Sequence, residues 1–250
     1  MRLIADPAIA DPALDSAISR ALMLRVAAGD LPETLRISRP GPAVAFGKRD
    51  VVSDGYLPAV AAARGGGFEA IERLAGGRAA VFHEGTLHFG HAVRDGDARL
   101  GVTPRFEQTA ARVARALGRL GVDARVGEVA GEYCPGAHSV NARGATKLMG
   151  LGQRVIKGGA HMGGVVVVDG ADRIRDVLVP VYAELDLDWE PATTGSLADE
   201  RPGIGWDDVR AALEAEYAAA YDLERASGLD AETLALARRL APAHLSPAIQ

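Results

Sequence analysis

Two glycine-rich stretches contain the side chains of this 250-residue chain that are best suited to chemistry. The first runs from Arg73 to His91 and combines a Gly-Gly pair with three histidines. The second runs from Gly131 to Gly164 and contains the single cysteine, two lysines and two histidines. Glycines let a ligand approach the main chain and expose amides to a carboxylate, a thioester oxygen or a phosphate. The two stretches therefore predict a site for a narrow ligand, although the first also fits a hairpin turn followed by an edge strand.

The single cysteine, Cys134, precedes Pro135 and Gly136 in a turn that the sequence predicts to be exposed. A nearby His138 or Lys147 could lower the pKa of this thiol toward the thiolate, which is the nucleophilic form. The alternative is an inert buried thiol, because free cysteine is often buried. One cysteine excludes an internal disulfide and a zinc site with several cysteines.

Lys147 lies in a strand-like context, between a glycine-rich segment and Leu148. If it faces inward, it offers a fixed cationic donor to a developing oxyanion, whereas most strand lysines face solvent. The histidines have none of the spacings typical of zinc sites, so we expect no metal. They are His83, His88, His91 and His161.

Composition indicates a soluble globular protein, with 48% hydrophobic residues and no apolar run of 18 residues. The N-terminus has acidic residues and prolines where a signal peptide needs a basic start, so we expect a cytoplasmic protein without membrane association. The pI of about 5.7 argues against nucleic-acid binding.

The net charge of −5 is unevenly distributed along the chain. Basic residues predominate between positions 71 and 160, and acidic residues predominate from 171 to 250. The basic region could dock an acidic carrier protein or a phosphate-bearing ligand. Alternatively, Arg112, Arg115 and Arg119 recur at helical spacing and would form a solvated helix face.

Periodicity predicts an α+β fold. The residues Leu14, Ile18, Leu22 and Val26 share one face of a helix over 11–29. Further helices are expected over 56–64, 104–120, 206–221 and 231–240, and strands over 34–38, 42–46, 68–73, 79–93, 124–126, 139–141, 147–153 and 165–168. Residues 191–205 are expected to form a loop. Strands in runs with few helices favour α+β over a βαβ repeat.

Together, the two stretches resemble the biotin/lipoate protein ligase and lipoate/octanoyl transferase family. RLAGGRAAVFHEGTLHFG is similar to that family's RR-x-[ST]-GG-[GR]-A-V-x-H signature. SVNARGATKLMGLGQRVIKGGAHMGGVVVV is similar to its V-N-G-x-K-[IL]-x-G-x-A-Q-[RT] segment, a glycine/histidine turn and a hydrophobic strand. FGK at 46–48 is similar to an upstream G-[RK] element, and the resemblance covers residues 12–185.

The resemblance implies a mixed β-sheet flanked by helices, like the catalytic core of class II aminoacyl-tRNA synthetases and biotin protein ligases. It places a catalytic domain in residues 1–190, with residues 191–250 as a helical extension packed on the same domain. By resemblance Lys147 contacts the acyl carbonyl. The residues implied in substrate binding are Arg73, Gly76, Gly77, Arg78, His83, Gly150, Gln153 and His161.

Two features favour the cysteine-dependent octanoyltransferase branch of that family. Arg78 stands where a ligase usually has a third glycine, and Cys134 lies in the loop where that branch has its nucleophile. The expected reaction moves octanoate, or a lipoyl group, from acyl carrier protein through a Cys134 thioester to a lysine of a lipoyl domain or glycine cleavage H protein. It needs no cofactor.

Two alternatives stay open. One is an ATP-dependent lipoate ligase, which forms a lipoyl-adenylate with ATP and Mg²⁺ and in which the cysteine is idle. The other is a non-catalytic binder of lipoate, biotin or an acylated protein.

Overall fold

The structure, a computed structural model, describes residues 1–5 and 9–248. Its strands are β1 (Arg2–Ala5), β2 (Thr34–Ser38), β3 (Ala43–Phe46), β4 (Glu69–Glu72), β5 (Ala80–Phe82), β6 (Thr86–Arg94), β7 (Ala124–Val126), β8 (Val140–Ala142), β9 (Thr146–Ile156), β10 (Gly159–Val167) and β11 (Glu224–Arg225). Its helices are α1 (Pro12–Ala28), α2 (Lys48–Val51), α3 (Tyr56–Gly65), α4 (Val102–Arg119), α5 (Ala171–Glu184), α6 (Leu197–Glu200), α7 (Trp206–Ala218) and α8 (Ala231–Leu240), with 3₁₀ turns at Pro191–Thr193 and Ala241–His244.

The strands form two mixed sheets. The larger sheet has eight strands in the order β11-β1-β2-β6-β10-β9-β8-β7, and the smaller has three in the order β4-β3-β5. Strand β1 is parallel to β11 and β2, while the pairs from β2 to β7 are antiparallel. Helices pack on these sheets, so the predicted α+β class is confirmed.

Helix α1 shows how local sequence sets an element that borders the site. Asp11 accepts hydrogen bonds from the amides of Ala13 and Leu14, at 3.0 and 3.1 Å, which satisfies two donors at the helix start. Gly29, with φ of +88°, ends the helix in the left-handed region. The predicted boundaries are confirmed, and the buried face packs against β6, β10 and α8.

Alternation along the strands separates the hydrophobic core into layers. Leu3 of β1 packs with residues of α4 and α7, whereas its neighbour Ile4 packs with α1 and α8. Successive strand residues face opposite sides of a sheet, so the larger sheet carries helices on both faces. A further cluster joins the smaller sheet to α3 and α5.

Several segments differ from the sequence-based expectation. Strands β1 and β11 and the short helix α2 were not predicted. Helix α5 was not predicted, although Ile174, Leu178 and Val181 give it a buried face. Strand β10 begins at Gly159, six residues before the predicted strand, because it pairs with β6 and β9 throughout. The predicted loop 191–205 contains α6, which Ser196 caps by accepting from the Asp199 amide at 3.2 Å.

Three arginines of α4 contact α7, and two of them, Arg115 and Arg119, also remain exposed to solvent. Arg115 and Arg119 pair with Glu216 of α7 at 2.8 and 2.7 Å. The Arg112 guanidinium lies 4.5 Å from the centre of the Tyr217 ring. These contacts join α4 to α7, so part of the uneven charge is balanced within the molecule. Over residues 1–5 and 9–248, no helix is long and apolar enough to cross a membrane.

Candidate active site

A cavity of about 360 Å³ opens where the two glycine-rich stretches meet. Its walls come from the segment after β4, the loop between β7 and β8, strands β9 and β10, and the start of α1. The predicted residues that line it are Arg73, Gly76, Gly77, Cys134, Lys147, Gly150, Gln153 and His161. The structure therefore brings together residues that are far apart in the chain.

Glycines form the floor of the cavity on β9 and β10. Gly152 and Gly163 are cross-strand partners, and Gly150 lies opposite Val165 on the same face. A Cβ on Gly152 would lie 2.7 Å from the Cβ of Ala75, which is closer than packed carbon atoms approach. The absence of a side chain on Gly152 thus lets the segment that follows Arg73 pack directly on the sheet at the cavity wall.

Cys134 has an unusual backbone conformation, with φ of +43°. Few residues other than glycine occupy this region, so the surrounding contacts must hold it. The Cys134 amide donates to the Tyr182 hydroxyl at 2.8 Å, and that hydroxyl donates to the Ala79 carbonyl at 3.0 Å. Tyr182 of α5 thereby joins the cysteine loop to the start of β5.

Replacing Tyr182 by phenylalanine should lower the free energy of unfolding by about 1–3 kcal/mol, because it leaves a buried amide and a buried carbonyl without this partner. Urea denaturation measures the change. Tyr221→Phe is the matched control, since it keeps the ring contacts of Tyr221 with His91 and Tyr217. Equal losses in both variants would contradict this role for Tyr182.

Lys147 faces inward, and its side chain is 1% exposed. Of the two orientations that the sequence left open, inward or toward solvent, the structure has the inward one. The Lys147 ammonium donates to Glu132 at 3.0 Å, to the Tyr133 carbonyl at 2.9 Å and to the Cys134 carbonyl at 2.8 Å. Glu132 also accepts from the Ser139 hydroxyl at 2.6 Å. This buried ion pair fixes both ends of the cysteine loop.

The Cys134 sulfur lies beside donors from the first glycine-rich stretch. The Arg78 amide is 3.3 Å from Sγ, and the nearer Arg73 nitrogen is 3.7 Å away. Burial raises the pKa of the Cys134 thiol, but the charges of Arg73 and Lys147 and the Arg78 amide together lower it below its usual value. The thiol is half-buried and borders the cavity, so a ligand can reach it.

Two predicted binding residues lie outside the cavity lining. The Arg78 side chain pairs with the buried Asp50 at 3.2 Å, and only its backbone amide contacts the cysteine. The His83 ring accepts from the Gly85 amide at 3.0 Å and lies near the start of α5, where a Cβ on Gly170 would be 2.8 Å from it. His83 therefore packs between two turns instead of shaping the pocket.

Gln153 lines the cavity while its amide group is held by α4. Its oxygen accepts from Arg105 at 2.8 Å, and its nitrogen donates to the Val102 carbonyl at 3.2 Å. The side chain thus fixes α4 against β9 at the cavity wall.

Polar groups border the cavity at the end near α1. Asp15 pairs with Arg36 at 2.6 Å and lies 3.5 Å from the His88 ring nitrogen. His161 is 4% exposed, and its Nδ1 has no hydrogen-bond partner among the described residues. Burial, followed by the charges of His88, His91 and Arg36, lowers the pKa of His161 to about 3. His161 is therefore neutral at physiological pH.

This lowered pKa predicts an acid-sensitive contribution to stability. A histidine in the unfolded chain binds a proton near pH 6.5, whereas folded His161 binds one only near pH 3. The unfolded state is therefore favoured by protonation below pH 6.5, and the free energy of unfolding declines as the pH falls. Between pH 7 and 5 the loss should be about 2 kcal/mol. His161→Gln should remove this loss in denaturation curves, whereas a His138→Gln control should not. An unchanged pH profile in His161→Gln would contradict the prediction.

Glu132 and Tyr182 belong to the site but were not singled out from the sequence. Glu132 lies two residues before Cys134 in the sequence. An acidic residue so close to the cysteine could have been considered as an ion-pair partner for Lys147. Tyr182 lies 48 residues after Cys134 on a helix that was not predicted, so no local pattern indicates it. Within residues 1–5 and 9–248, no group of three or more His, Cys, Asp or Glu side chains could hold a metal ion.

Comparisons with known proteins bear on this geometry. The chain is 27% identical over 169 residues to an octanoyl-[GcvH]:protein N-octanoyltransferase of Geobacillus kaustophilus (strain HTA426). That alignment covers 68% of this chain and 59% of the relative, so the chain spans less than two thirds of the relative's length.

Solved structures show the same fold. Protein Ta0514 of T. acidophilum, solved with bound lipoic acid, has a TM-score of 0.76 at 22% identity, with 97% of this chain and 95% of that chain covered. A lipoate-protein ligase A bound with ATP has a TM-score of 0.74 at 22% identity, with 96% and 94% covered. Residues 11–218 match the lipoyl protein ligase A/B catalytic domain. The chain therefore belongs to the lipoyl protein ligase A/B catalytic domain family.

Proposed function

We propose that this protein is an acyltransferase of protein lipoylation, which moves an octanoyl group through a thioester on Cys134. The observation that carries the proposal is the position of the Cys134 thiol, which has a lowered pKa and borders a narrow cavity with a glycine floor. A thiolate is the reactive form of cysteine, so it could attack an acyl thioester that enters the cavity.

In the proposed first half-reaction, the Cys134 thiolate attacks the acyl carbonyl of the donor. The new sulfur–carbon bond gives a tetrahedral oxyanion. Its collapse breaks the carbon–sulfur bond of a thioester donor, which leaves as a thiolate, or the carbon–nitrogen bond of an amide donor, which takes up a proton and leaves as an amine. In the second half-reaction, a lysine amine of a lipoyl domain attacks the acyl-enzyme. Loss of the amine proton and departure of the thiolate leave an amide on the acceptor and free Cys134.

The donor is a carrier protein, and two kinds are candidates. The sequence favours acyl carrier protein, whereas the Geobacillus relative is named for octanoyl-[GcvH]. One structural neighbour is described as a two-part lipoate protein ligase with its E2 lipoyl domain, which supports lipoyl domains as acceptors. Testing both donors in the same assay decides between them.

Cations beside the cavity provide a docking surface for an acidic carrier. Lys48 and Arg154 line a groove that shares the segment around Gly76 with the cavity. Lys48 is exposed, so this groove should attract acidic proteins over long range. Raising the salt concentration should slow association of the carrier, which stopped-flow fluorescence measures. An association rate that does not respond to salt would argue against charge-guided docking.

Intact-mass spectrometry after incubation with each octanoyl carrier tests the proposal. The wild-type protein should gain the mass of one octanoyl group and lose it when a lipoyl domain is added. Cys134→Ser should show no adduct and no transfer. Because the chain has one cysteine, any thioester adduct reports on this residue alone.

Three other outcomes would contradict the proposal and indicate a different mechanism or function. Full transfer by Cys134→Ser would exclude the thioester route. Lipoate-dependent release of pyrophosphate from ATP, without a cysteine adduct, would indicate a ligase. An acyl group that copurifies with the protein but never reaches an acceptor would indicate a binding protein.

A further inference from the structure

We infer that Arg73, rather than Lys147, is the cation that stabilises the Cys134 thiolate and the negative charge that forms on the acyl oxygen. This inference rests on the proposed function and assigns a further catalytic residue to that site. It differs from the expectation that Lys147 contacts the acyl carbonyl.

The hydrogen bonds of Lys147 leave it no donor for a substrate. An ammonium group has three protons, and here three acceptors surround it at 2.8–3.0 Å. One of them is the Glu132 carboxylate, whose side chain is fully buried, so the positive charge is largely balanced within the loop. Lys147 is therefore a positioning residue, which holds the main chain on both sides of the nucleophile.

Arg73, in contrast, contacts the sulfur directly. It is half-buried, lines the cavity and has a nitrogen 3.7 Å from Sγ. The same guanidinium donates to the carbonyls of Ala75 and Gly76, which fixes it above the glycine floor. A guanidinium keeps its charge at any physiological pH, so it can compensate an anion throughout the reaction.

Gly77 makes this contact possible. A Cβ on Gly77 would lie 2.1 Å from the Arg73 nitrogen and 2.9 Å from the Cys134 sulfur. Any side chain there would separate the two groups. The glycine pair of the first stretch thus allows the cation to approach the nucleophile, in addition to leaving room for a ligand.

The groups that face Cys134 come from four segments. Arg73 and the Arg78 amide follow β4, Glu132 and Tyr133 lie in the cysteine loop, Lys147 is in β9 and Tyr182 is in α5. Burial raises the pKa of both tyrosines, so they are neutral near pH 7. Of the two cations, Arg73 makes the larger contribution to lowering the thiol pKa, which agrees with its uncompensated position.

The charge transfer in the proposed step also favours Arg73. When the thiolate attacks, its electron pair forms the sulfur–carbon bond and the negative charge moves to the carbonyl oxygen. That oxygen is bonded to the carbon that the sulfur attacks, so it stays within reach of the same guanidinium and of the Arg78 amide. Expulsion of the carrier returns the oxygen to a carbonyl, and the guanidinium neither gains nor loses a proton.

The pH dependence of Cys134 alkylation by iodoacetamide tests the inference without an acyl donor. We expect the wild-type midpoint to lie below that of an ordinary thiol, and Arg73→Met to raise it by about 1 pH unit or more. The double variant Glu132→Gln/Lys147→Met removes the balanced pair as a whole and should shift the midpoint less. Arg99→Met, which removes an exposed arginine, should leave the midpoint unchanged.

A wild-type midpoint at the ordinary value, or a larger shift in the double variant than in Arg73→Met, would overturn the inference. If Arg73→Met does not fold, as circular dichroism would reveal, Arg73→Gln replaces it, because glutamine keeps donors for the two carbonyls but not the charge. Arg73→Lys should restore part of the low midpoint and part of the transfer rate. If alkylation behaves as expected but no octanoyl adduct forms, the proposed function fails while the role of Arg73 at the thiol stands.

Discussion

Replacing Gly77 by alanine is expected to lower the rate of acyl transfer on the order of 10²-fold, the effect of displacing a catalytic group by about 1 Å. Gly77 has φ of +106°, where a side chain is strained, and an added Cβ would lie within 3 Å of both Arg73 and Cys134. The variant should also raise the midpoint of cysteine alkylation. Single-turnover transfer and alkylation, measured on the same preparation, check both effects.

Gly118→Ala is the control for this substitution. Gly118 is exposed in α4, and a Cβ there meets nothing within 4 Å. Alanine at an exposed helix position should stabilise the protein by roughly 0.5–1 kcal/mol without changing transfer. Wild-type transfer by Gly77→Ala would show that the approach of Arg73 to Cys134 is dispensable.

Removing Lys147 alone should destabilise the protein severely. Lys147→Met leaves the Glu132 carboxylate buried without its cation, and breaking a buried pair in this way costs about 3–5 kcal/mol. It also removes the donors to the carbonyls of Tyr133 and Cys134. Chemical denaturation near neutral pH measures the loss, and the melting temperature should fall with it.

The double variant Glu132→Gln/Lys147→Met separates charge burial from loss of the cation itself. It removes both charges, and the glutamine oxygen can still accept from Ser139 and the Gly136 amide, although the Val129 amide loses its acceptor. Most of the lost stability should return. If the double variant were as unstable as Lys147→Met, the unpaired carboxylate would not be the cause.

The sequence was sufficient to predict the α+β class and to identify the segments that form the cavity. Glycine pairs, a lone cysteine and a strand lysine are signals within single short stretches, and the structure brings Cys134, Lys147 and Arg73 together. The inward orientation of Lys147 was left open by the sequence. Helix α1, whose residues Leu14, Ile18, Leu22 and Val26 recur every four positions, was also predicted within one residue of its bounds.

Other features depend on contacts between distant segments. The Val-Leu-Val-Pro-Val run of α5 favours a strand by local preference, but packing of Val177, Val181 and Tyr182 in the core makes it helical. The extra length of β10 arises from pairing with β6, which compensates for glycines that are poor strand formers. The position of His83 follows from Gly85 and Gly170, which lie on opposite sides of β6 in the chain.

The glycine at position 152 has a consequence for the catalytic arrangement. Because Gly152 carries no side chain, the segment that follows Arg73 rests directly on β9, and an added carbon there would lie 2.7 Å from the Cβ of Ala75. A larger residue at this position would have to displace Ala75, which lies between Arg73 and Gly77 in the chain. The position of the guanidinium beside Cys134 therefore depends on a strand residue that is far from Arg73 in the sequence.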